Sequence, residues 1–197
     1  RERSIAVPAS VAGPLIDTCG TGGTGLKTVN ISTTAMFIAA AAGVRLAKHG
    51  NVGVTRSSGS ADVLQASGVR LDMAPADLAR AIETLGIAFV FAKNHHPAMR
   101  FVAPIRADLR ARTIFNNLGP LTNPAGANRQ LMGVFSPDLT EPLARVLLGL
   151  GIDRALVVHG DGIDDLGVTG VSRVTEVDSG GGFRTFEIAP EDVGLGR

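Results

Sequence analysis

Apolar and polar positions along this chain fall into short runs that switch repeatedly between strand-like and helix-like spacing. Leu15-Ile16-Asp17 is a brief apolar run that ends in a glycine-rich loop, and it predicts a buried strand. Thr33 to Ala42 is alanine-rich and stops at Gly43, the pattern of a helix with a glycine at its C-terminal end. Val44 to Ala47 predicts a second strand, leading into the polar turn Lys48-His49-Gly50-Asn51. Ser60 is placed to cap a short helix from Ala61 to Ser67. Pro75 stands where a first helical residue belongs, ahead of Ala76 to Leu85 and a stop at Gly86. Ile87 to Phe91 predicts a strand, and Pro97 to about Arg110 a helix that must kink or break at Pro104. Thr140 to Leu150 reads as a helix, followed by the strand Ala155 to Val158 and an acidic loop from Gly160. In the tail, Val174 to Val177 and Arg184 to Ile188 alternate as a hairpin would, with Ser179-Gly180-Gly181-Gly182 at its turn.

Strands alternating with helices imply an α/β fold with a largely parallel sheet flanked by helices. Ligands of such sheets bind beyond the carboxyl ends of the strands. The glycine loop, Lys48-His49-Gly50-Asn51 and Asp164-Asp165 each follow a predicted strand, so all three belong on one edge of the sheet. There is no internal repeat and no low-complexity segment.

Composition narrows the ligand. Over 197 residues the net charge is +1 with 19% charged side chains, which leaves no long basic face for nucleic acid. Trp and Tyr are absent and aromatics are 4%, so platforms for base stacking are scarce. The single cysteine, Cys19, excludes an internal disulfide and fits a reducing compartment. The longest apolar run, Ala35 to Val44, is too short to span a bilayer, and Arg1-Glu2-Arg3 opens no signal core. A cytoplasmic protein without membrane or nucleic-acid partners is expected.

One stretch stands apart. From Thr18 to Ala61 there is no aspartate or glutamate, although Lys27, Arg45, Lys48 and Arg56 lie within it. Glycines stand at 20, 22, 23, 25, 43, 50, 53 and 59, and hydroxyls at Thr21, Thr24, Thr28, Ser32, Thr33, Ser57, Ser58 and Ser60. Backbone N–H groups, hydroxyls and fixed cations without a competing carboxylate suit a polyanion such as phosphate or pyrophosphate.

Gly20-x-Gly22-x-x-Gly25 also fits the dinucleotide fingerprint. That reading wants a carboxylate about twenty residues further on for the ribose hydroxyls, and Ala39 to Ala47 contains none. A bare strand-to-helix turn is the plainer alternative, weakened by two further turns with the same chemistry. His49, between a lysine and a glycine, reads as a ligand contact. His95-His96-Pro97 has no third ligand nearby, and helix entry is the plainer role, above all for His95. Asp161, Asp164 and Asp165 form either a solvated turn or hard oxygen ligands for Mg²⁺, which binds through one or two carboxylates and bridges to substrate phosphates. Among Arg100, Arg106, Arg110 and Arg112, one could fork onto a substrate carboxylate.

Taken together, these strings resemble the anthranilate phosphoribosyltransferases of tryptophan biosynthesis. They are Asp17-Thr18-Cys19-Gly20-Thr21-Gly22-Gly23 with Thr28 to Thr33, Lys48-His49-Gly50-Asn51, and Ser58 to Leu64. After them come His96-Pro97-Ala98-Met99-Arg100, Arg112 to Pro124, and Val158-His159-Gly160. The resemblance runs from about Leu15 to Leu195. It implies the catalytic α/β domain of the nucleoside phosphorylase and phosphoribosyltransferase type. The implied reaction is Mg²⁺-dependent transfer of the phosphoribosyl group of phosphoribosyl pyrophosphate to the amine of anthranilate. By the same resemblance, Gly20, Gly23, Thr24, Thr28, Asn30, Ile31, Ser32, Thr33, Lys48, Ser57, Ser58 and Ser60 bind phosphoribosyl pyrophosphate. Gly20, His49, Asn51 and Arg106 contact anthranilate, and Ser32, Asp164 and Asp165 hold Mg²⁺.

The sequence departs from the family at Thr24, where Asp is frequent, and at Asp165, where Glu is usual. Residues 1–197 are expected to be one partial catalytic domain, without the helical N-terminal domain through which the family dimerises. Two alternatives share the scaffold: a pyrimidine nucleoside phosphorylase-like enzyme and a non-catalytic nucleic-acid-binding relative. The Asn116-Asn117-Leu118-Gly119-Pro120 string and Asp164-Asp165 argue against the first, the near-neutral charge against the second.

Overall fold

The computed structural model describes residues 2–22, 29–53, 58–109 and 111–196. Its strands are β1 (Ile16–Gly20), β2 (Leu46–Gly50), β3 (Ile87–Phe91), β4 (Arg129–Gly133), β5 (Arg154–His159), β6 (Ser172–Val177) and β7 (Phe183–Ile188). They form one seven-stranded sheet in the order β3-β2-β1-β4-β5-β6-β7. The first five strands of that order run parallel, and β6 and β7 add an antiparallel hairpin. The largely parallel α/β expectation holds. Strand order reverses direction at β1, which puts the switch-point crevice between β1 and β4.

Helices cover both faces, which is why β3 is apolar throughout its length. Helix α1 (Ile31–Ala41) and helix α2 (Ser60–Ala66) bury Met36, Ala61 and Leu64 against Leu46 and Phe89. On the opposite face, α3 (Pro75–Leu85) buries Leu78, Ala79 and Ile82 against Ala47, Ala88 and Val90. Gly86 ends α3 with φ +77°, the left-handed stop expected from the sequence. The later helix Thr140–Gly149 packs Leu143, Ala144 and Leu147 on Met132, Val157 and Val177.

Three expectations need correction. The second strand runs Leu46–Gly50, not Val44 to Ala47, so Lys48 and His49 are strand residues rather than a turn beyond it. Because strand side chains alternate between faces, Lys48 shares the α1 face with Leu46, while His49 shares the α3 face with Ala47. The expected single helix from Pro97 is instead α4 (Ala92–His95), a 3₁₀ turn (Pro97–Phe101) and α5 (Ala103–Leu109). Pro104 lies in the first turn of α5, where its missing N–H costs nothing, so the break falls before it. A short helix α6 (Ile114–Leu118) follows, and the central strand β4 was not anticipated at all.

Candidate active site

Gly20 and Gly133 stand side by side at the carboxyl ends of β1 and β4. A Cβ at Gly20 would lie 2.7 Å from Asp164 Oδ2, and one at Gly133 only 1.6 Å from the Asp164 carbonyl oxygen. The two glycines therefore clear a seat in the crevice for the acidic loop. Asp164 fills it, buried at 6% exposure, and its Oδ2 accepts the N–H of Gly22 at 2.8 Å. The glycine loop and the acidic loop, 142 residues apart, touch through this bond.

The N-terminus of α1 opens onto the same place. Its first turn carries no acidic residue, and the N-cap residue Asn30 makes no side-chain cap. Its side-chain oxygen instead accepts from Ser58 Oγ at 3.4 Å, tying the second hydroxyl cluster to the first. Uncapped N–H groups and the helix dipole favour an anion there. Thr33 is buried in that turn, and its hydroxyl has no partner among the described residues. Below it lies Lys48, 1% exposed, whose ammonium donates to the Thr18 carbonyl and, at 3.1 Å, to Ser32 Oγ. Burial lowers the pKa of Lys48, opposed chiefly by Asp17 and then by Cys19, Asp165 and Asp164. Asp17 is in turn pushed up to about 6 by burial, against the pull of Lys48.

Asp62 closes the neighbouring loop. Its Oδ2 accepts the N–H groups of Gly53 at 2.8 Å and Gly59 at 2.7 Å, and these bonds hold its carboxyl below the ordinary carboxylate range. Gly59 admits this closure, since a Cβ there would lie 2.4 Å from Gly53 N. Ser60 is the first residue of α2.

The other face of β2 carries different chemistry. His49 Nδ1 lies 3.2 Å from the Gly119 carbonyl, and its Nε2 lies 3.0 Å from His96 Nε2. Burial lowers the His49 pKa to about 3, with the neighbouring His96 adding to the effect. A carbonyl only accepts, so the neutral ring carries its proton on Nδ1, and His96 Nε2–H donates to His49 Nε2. Burial and then His95 lower the pKa of His96. Gly119 follows α6, whose Phe115 ring lies 5.7 Å beneath the Arg106 guanidinium. Asn51 Oδ1 accepts the N–H of Val52, and its carbonyl accepts that of Ala61.

Of the site residues expected from the sequence, Gly20, Asn30, Ile31, Ser32, Thr33, Lys48, Ser58, Ser60 and Asp164 gather around the crevice and the α1 N-terminus. Asp165 follows Asp164 in the same loop. His49 and Arg106 lie toward α6, and Asn51 follows β2. Gly23, Thr24, Thr28 and Ser57 fall outside the described residues. His95 and His96 do not converge: His95 Nδ1 donates to the Ile5 carbonyl at 2.7 Å, and His96 turns to His49. Among the described residues no three His, Cys, Asp or Glu side chains gather into a metal cage. Asp164 and Asp165 offer hard carboxylate oxygens of the kind that would hold Mg²⁺ together with substrate phosphates. Ser32 Oγ accepts from the Lys48 ammonium at 3.1 Å and keeps a second lone pair for a further ligand. The sequence reading missed Asp17, Gly133, Asp62 and the His49–His96 contact. Gly133, lodged between apolar neighbours, was a legible sign of close approach.

No helix among the described residues is long and apolar enough to cross a membrane. Residues 12–197 match the model of the glycosyl transferase family, a/b domain. The anthranilate phosphoribosyltransferase of Rubrobacter xylanophilus is 58% identical over 184 residues, and that of Laribacter hongkongensis 54% over 196. These alignments take in 93% and 99% of this chain but 54% and 57% of the relatives, so the chain spans about half their length. The crystal structure of the Thermus thermophilus enzyme superposes with a TM-score of 0.91 at 49% identity, covering all of this chain and 57% of the other. The Saccharomyces cerevisiae enzyme in complex with PRPP and Mg gives 0.88 at 29% identity, covering 98% and 53%. By the extent of the family match, the chain belongs to the glycosyl transferase family and carries its α/β domain.

Proposed function

We propose that the protein carrying this chain transfers the phosphoribosyl group of phosphoribosyl pyrophosphate to the amine of anthranilate. The observation that carries this reading is the division of the β2 end. Lys48 serves an acid-free anion cradle on one face, and His49 serves a neutral histidine pair on the other. A donor of diphosphate character and an uncharged amine nucleophile need those two environments beside each other. The yeast relative solved with PRPP and Mg, and again with 4-fluoroanthranilate, supports the pairing.

In this reading the glycine loop, the α1 N-terminus, Ser32 and Ser58 hold the phosphates, and Lys48 fixes Ser32 from beneath. Accepting from Lys48 leaves the Ser32 hydroxyl hydrogen to be donated to a phosphate oxygen. Asp164 and Asp165 hold Mg²⁺, which neutralises charge building on the pyrophosphate. Arg106 pairs with the anthranilate carboxylate, and His49 and Asn51 position the ring. The amine lone pair forms the bond to C1′ of the ribose as the C1′–O bond breaks, its electron pair leaving with pyrophosphate. The amine is nucleophilic while neutral, so its proton can depart to solvent after attack and no strong base is required. Positioning and electrostatics then supply most of the rate.

Mixing the complete gene product with phosphoribosyl pyrophosphate, Mg²⁺ and anthranilate, and following anthranilate fluorescence, tests the reading. Loss that needs all three components is expected; a folded protein that leaves the fluorescence unchanged refutes it.

A further inference from the structure

β1 and β2 begin as an ordinary parallel pair and then part. Ile16 pairs with Leu46, and Ile16 N–H donates to the Arg45 carbonyl at 3.0 Å. A regular ladder would continue two residues on, with Thr18 N–H donating to the Ala47 carbonyl and His49 N–H to the Thr18 carbonyl. Side chains have taken those positions. Asn123 Nδ2–H donates to the Ala47 carbonyl at 2.7 Å, His49 N–H donates to Asp17 Oδ1 at 3.0 Å, and the Thr18 carbonyl accepts from Lys48. The Asn123 side chain is itself fixed, its Oδ1 accepting the N–H of Ala125 at 2.9 Å. On the far edge of β2 the ladder to β3 stays regular through Gly50↔Phe91, so only the β1 seam is open.

We propose that Asp17 and Asn123 are positioning residues: with Lys48 they form a wedge that holds β1 and β2 apart at their carboxyl ends and sets the distance between the phosphate cradle and the acceptor side. The wedge lies where the two halves of the site meet. Lys48 reaches from it to Ser32 on one face, and His49 continues from it to Gly119 and His96 on the other. Asn123 follows directly on the 3₁₀ turn Gly119–Leu121 and its C-cap Thr122, so its bond to Ala47 ties the segment after that turn to β2 just before the strand splits the two chemistries. The Ala47 carbonyl, the His49 N–H and the Thr18 carbonyl each have a dedicated side-chain partner in place of the ladder, which is what distinguishes a built opening from a frayed strand. Closing the seam would move Lys48 and His49 relative to β1, and a misplacement of about 1 Å between reacting groups can lower turnover roughly 100-fold.

This inference rests on the proposed transfer, and its test separates the two. In the complete gene product, Asn123→Ala and Asp17→Asn are expected to keep one inorganic pyrophosphate site per chain by calorimetry, with affinity within about threefold of wild type. Both KM values should also hold while kcat falls on the order of 100-fold. A purely structural role would lower the calorimetric stoichiometry together with kcat. A kcat within threefold of wild type, or loss of pyrophosphate affinity in step with kcat, overturns the wedge. Should the wild type itself show no transfer, the functional reading fails, and the wedge is judged by the His49 amide proton. Bonded to a carboxylate, that proton is expected downfield and should shift in Asp17→Asn, while the Leu46 amide, bonded to Gly86 O at 2.8 Å, stays in place. An unmoved His49 amide overturns the wedge on its own. If neither variant folds, the residues serve folding rather than positioning, and the proposal is equally overturned.

Discussion

Gly133→Ala probes the seat beneath the acidic loop. The added methyl would arrive 1.6 Å from the Asp164 carbonyl oxygen and 2.4 Å from its carbonyl carbon. Both are backbone atoms, so no rotamer change relieves the clash. Ordinary contact begins at 3.4 Å, and the loop must therefore retreat by about 1.8 Å, or β4 must yield by as much. Overpacking of this kind costs about 1–3 kcal/mol, and in a chain of this size about 2 kcal/mol lowers Tm by roughly 4–8 °C. The functional effect should be larger than the thermal one. Asp164 would leave the Gly22 N–H and the position in which we propose that it holds Mg²⁺, and a shift beyond 1 Å implies a loss of turnover of at least about 100-fold. Differential scanning calorimetry and anthranilate fluorescence read the two effects separately. Gly149→Ala is the control, since its Cβ meets nothing within 4 Å; it should retain full turnover and gain slightly in stability. A Gly133→Ala protein with wild-type turnover would refute the seating of Asp164 between the two strand ends.

Other outcomes follow from the same geometry. Asp164→Asn keeps an acceptor for the Gly22 N–H, so it should fold normally but need more Mg²⁺ for half-maximal turnover; an unchanged Mg²⁺ titration removes Asp164 from the metal site. Arg106→Ala should raise KM for anthranilate far more than for phosphoribosyl pyrophosphate, and equal increases would show that it serves the other substrate. Because the His49 pKa is lowered from 6.5 to about 3, the unfolded chain binds the extra proton between those values. This group's stabilising contribution is therefore complete above pH 6.5 and lost as pH falls toward 3; ¹⁵N NMR should find the ring neutral, protonated on Nδ1, at pH 5, and a titration near 6.5 would contradict this. Asp62, with its pKa lowered from 3.8, contributes fully above that value and loses its contribution only below it. Hydrogen exchange at the Gly53 and Gly59 amides should thus remain slow at pH 4 and accelerate in Asp62→Ala at any pH; equal rates in both proteins would dismiss the clasp.

Much of this architecture was legible in the sequence because local chemistry and global fold agree. Pro75 and Gly86 bracket α3 where expected, the Ser179-Gly180-Gly181-Gly182 turn joins β6 and β7, and the acid-free stretch surrounds the α1 N-terminus. What escaped has physical reasons. Strand β4 carries Arg129 and Gln130 at its start and a glycine at its end, so its alternation is broken by residues chosen for neighbours rather than for the strand. Gln130 Nε2–H donates to the Pro120 carbonyl at 2.6 Å, a demand visible only in three dimensions. Lys48 and His49 looked like a turn because both are polar; the sheet buries them by giving each a partner on β1, Thr18 and Asp17, 30 and 32 residues away in the chain. Asp17 lay one residue before the stretch defined by its lack of acids, and Asp62 one residue after it. The stretch from Thr18 to Ala61 has no carboxylate of its own and is tied at each margin by one, Asp17 to β2 and Asp62 to the loop before α2.

The transfer itself is tested most directly by ³¹P NMR of phosphoribosyl pyrophosphate incubated with the complete gene product. The account predicts that pyrophosphate appears one for one with anthranilate consumed, and only when Mg²⁺ and anthranilate are both present. Pyrophosphate released at the same rate without anthranilate, or an enzyme that instead requires inorganic phosphate and a nucleoside, would contradict it.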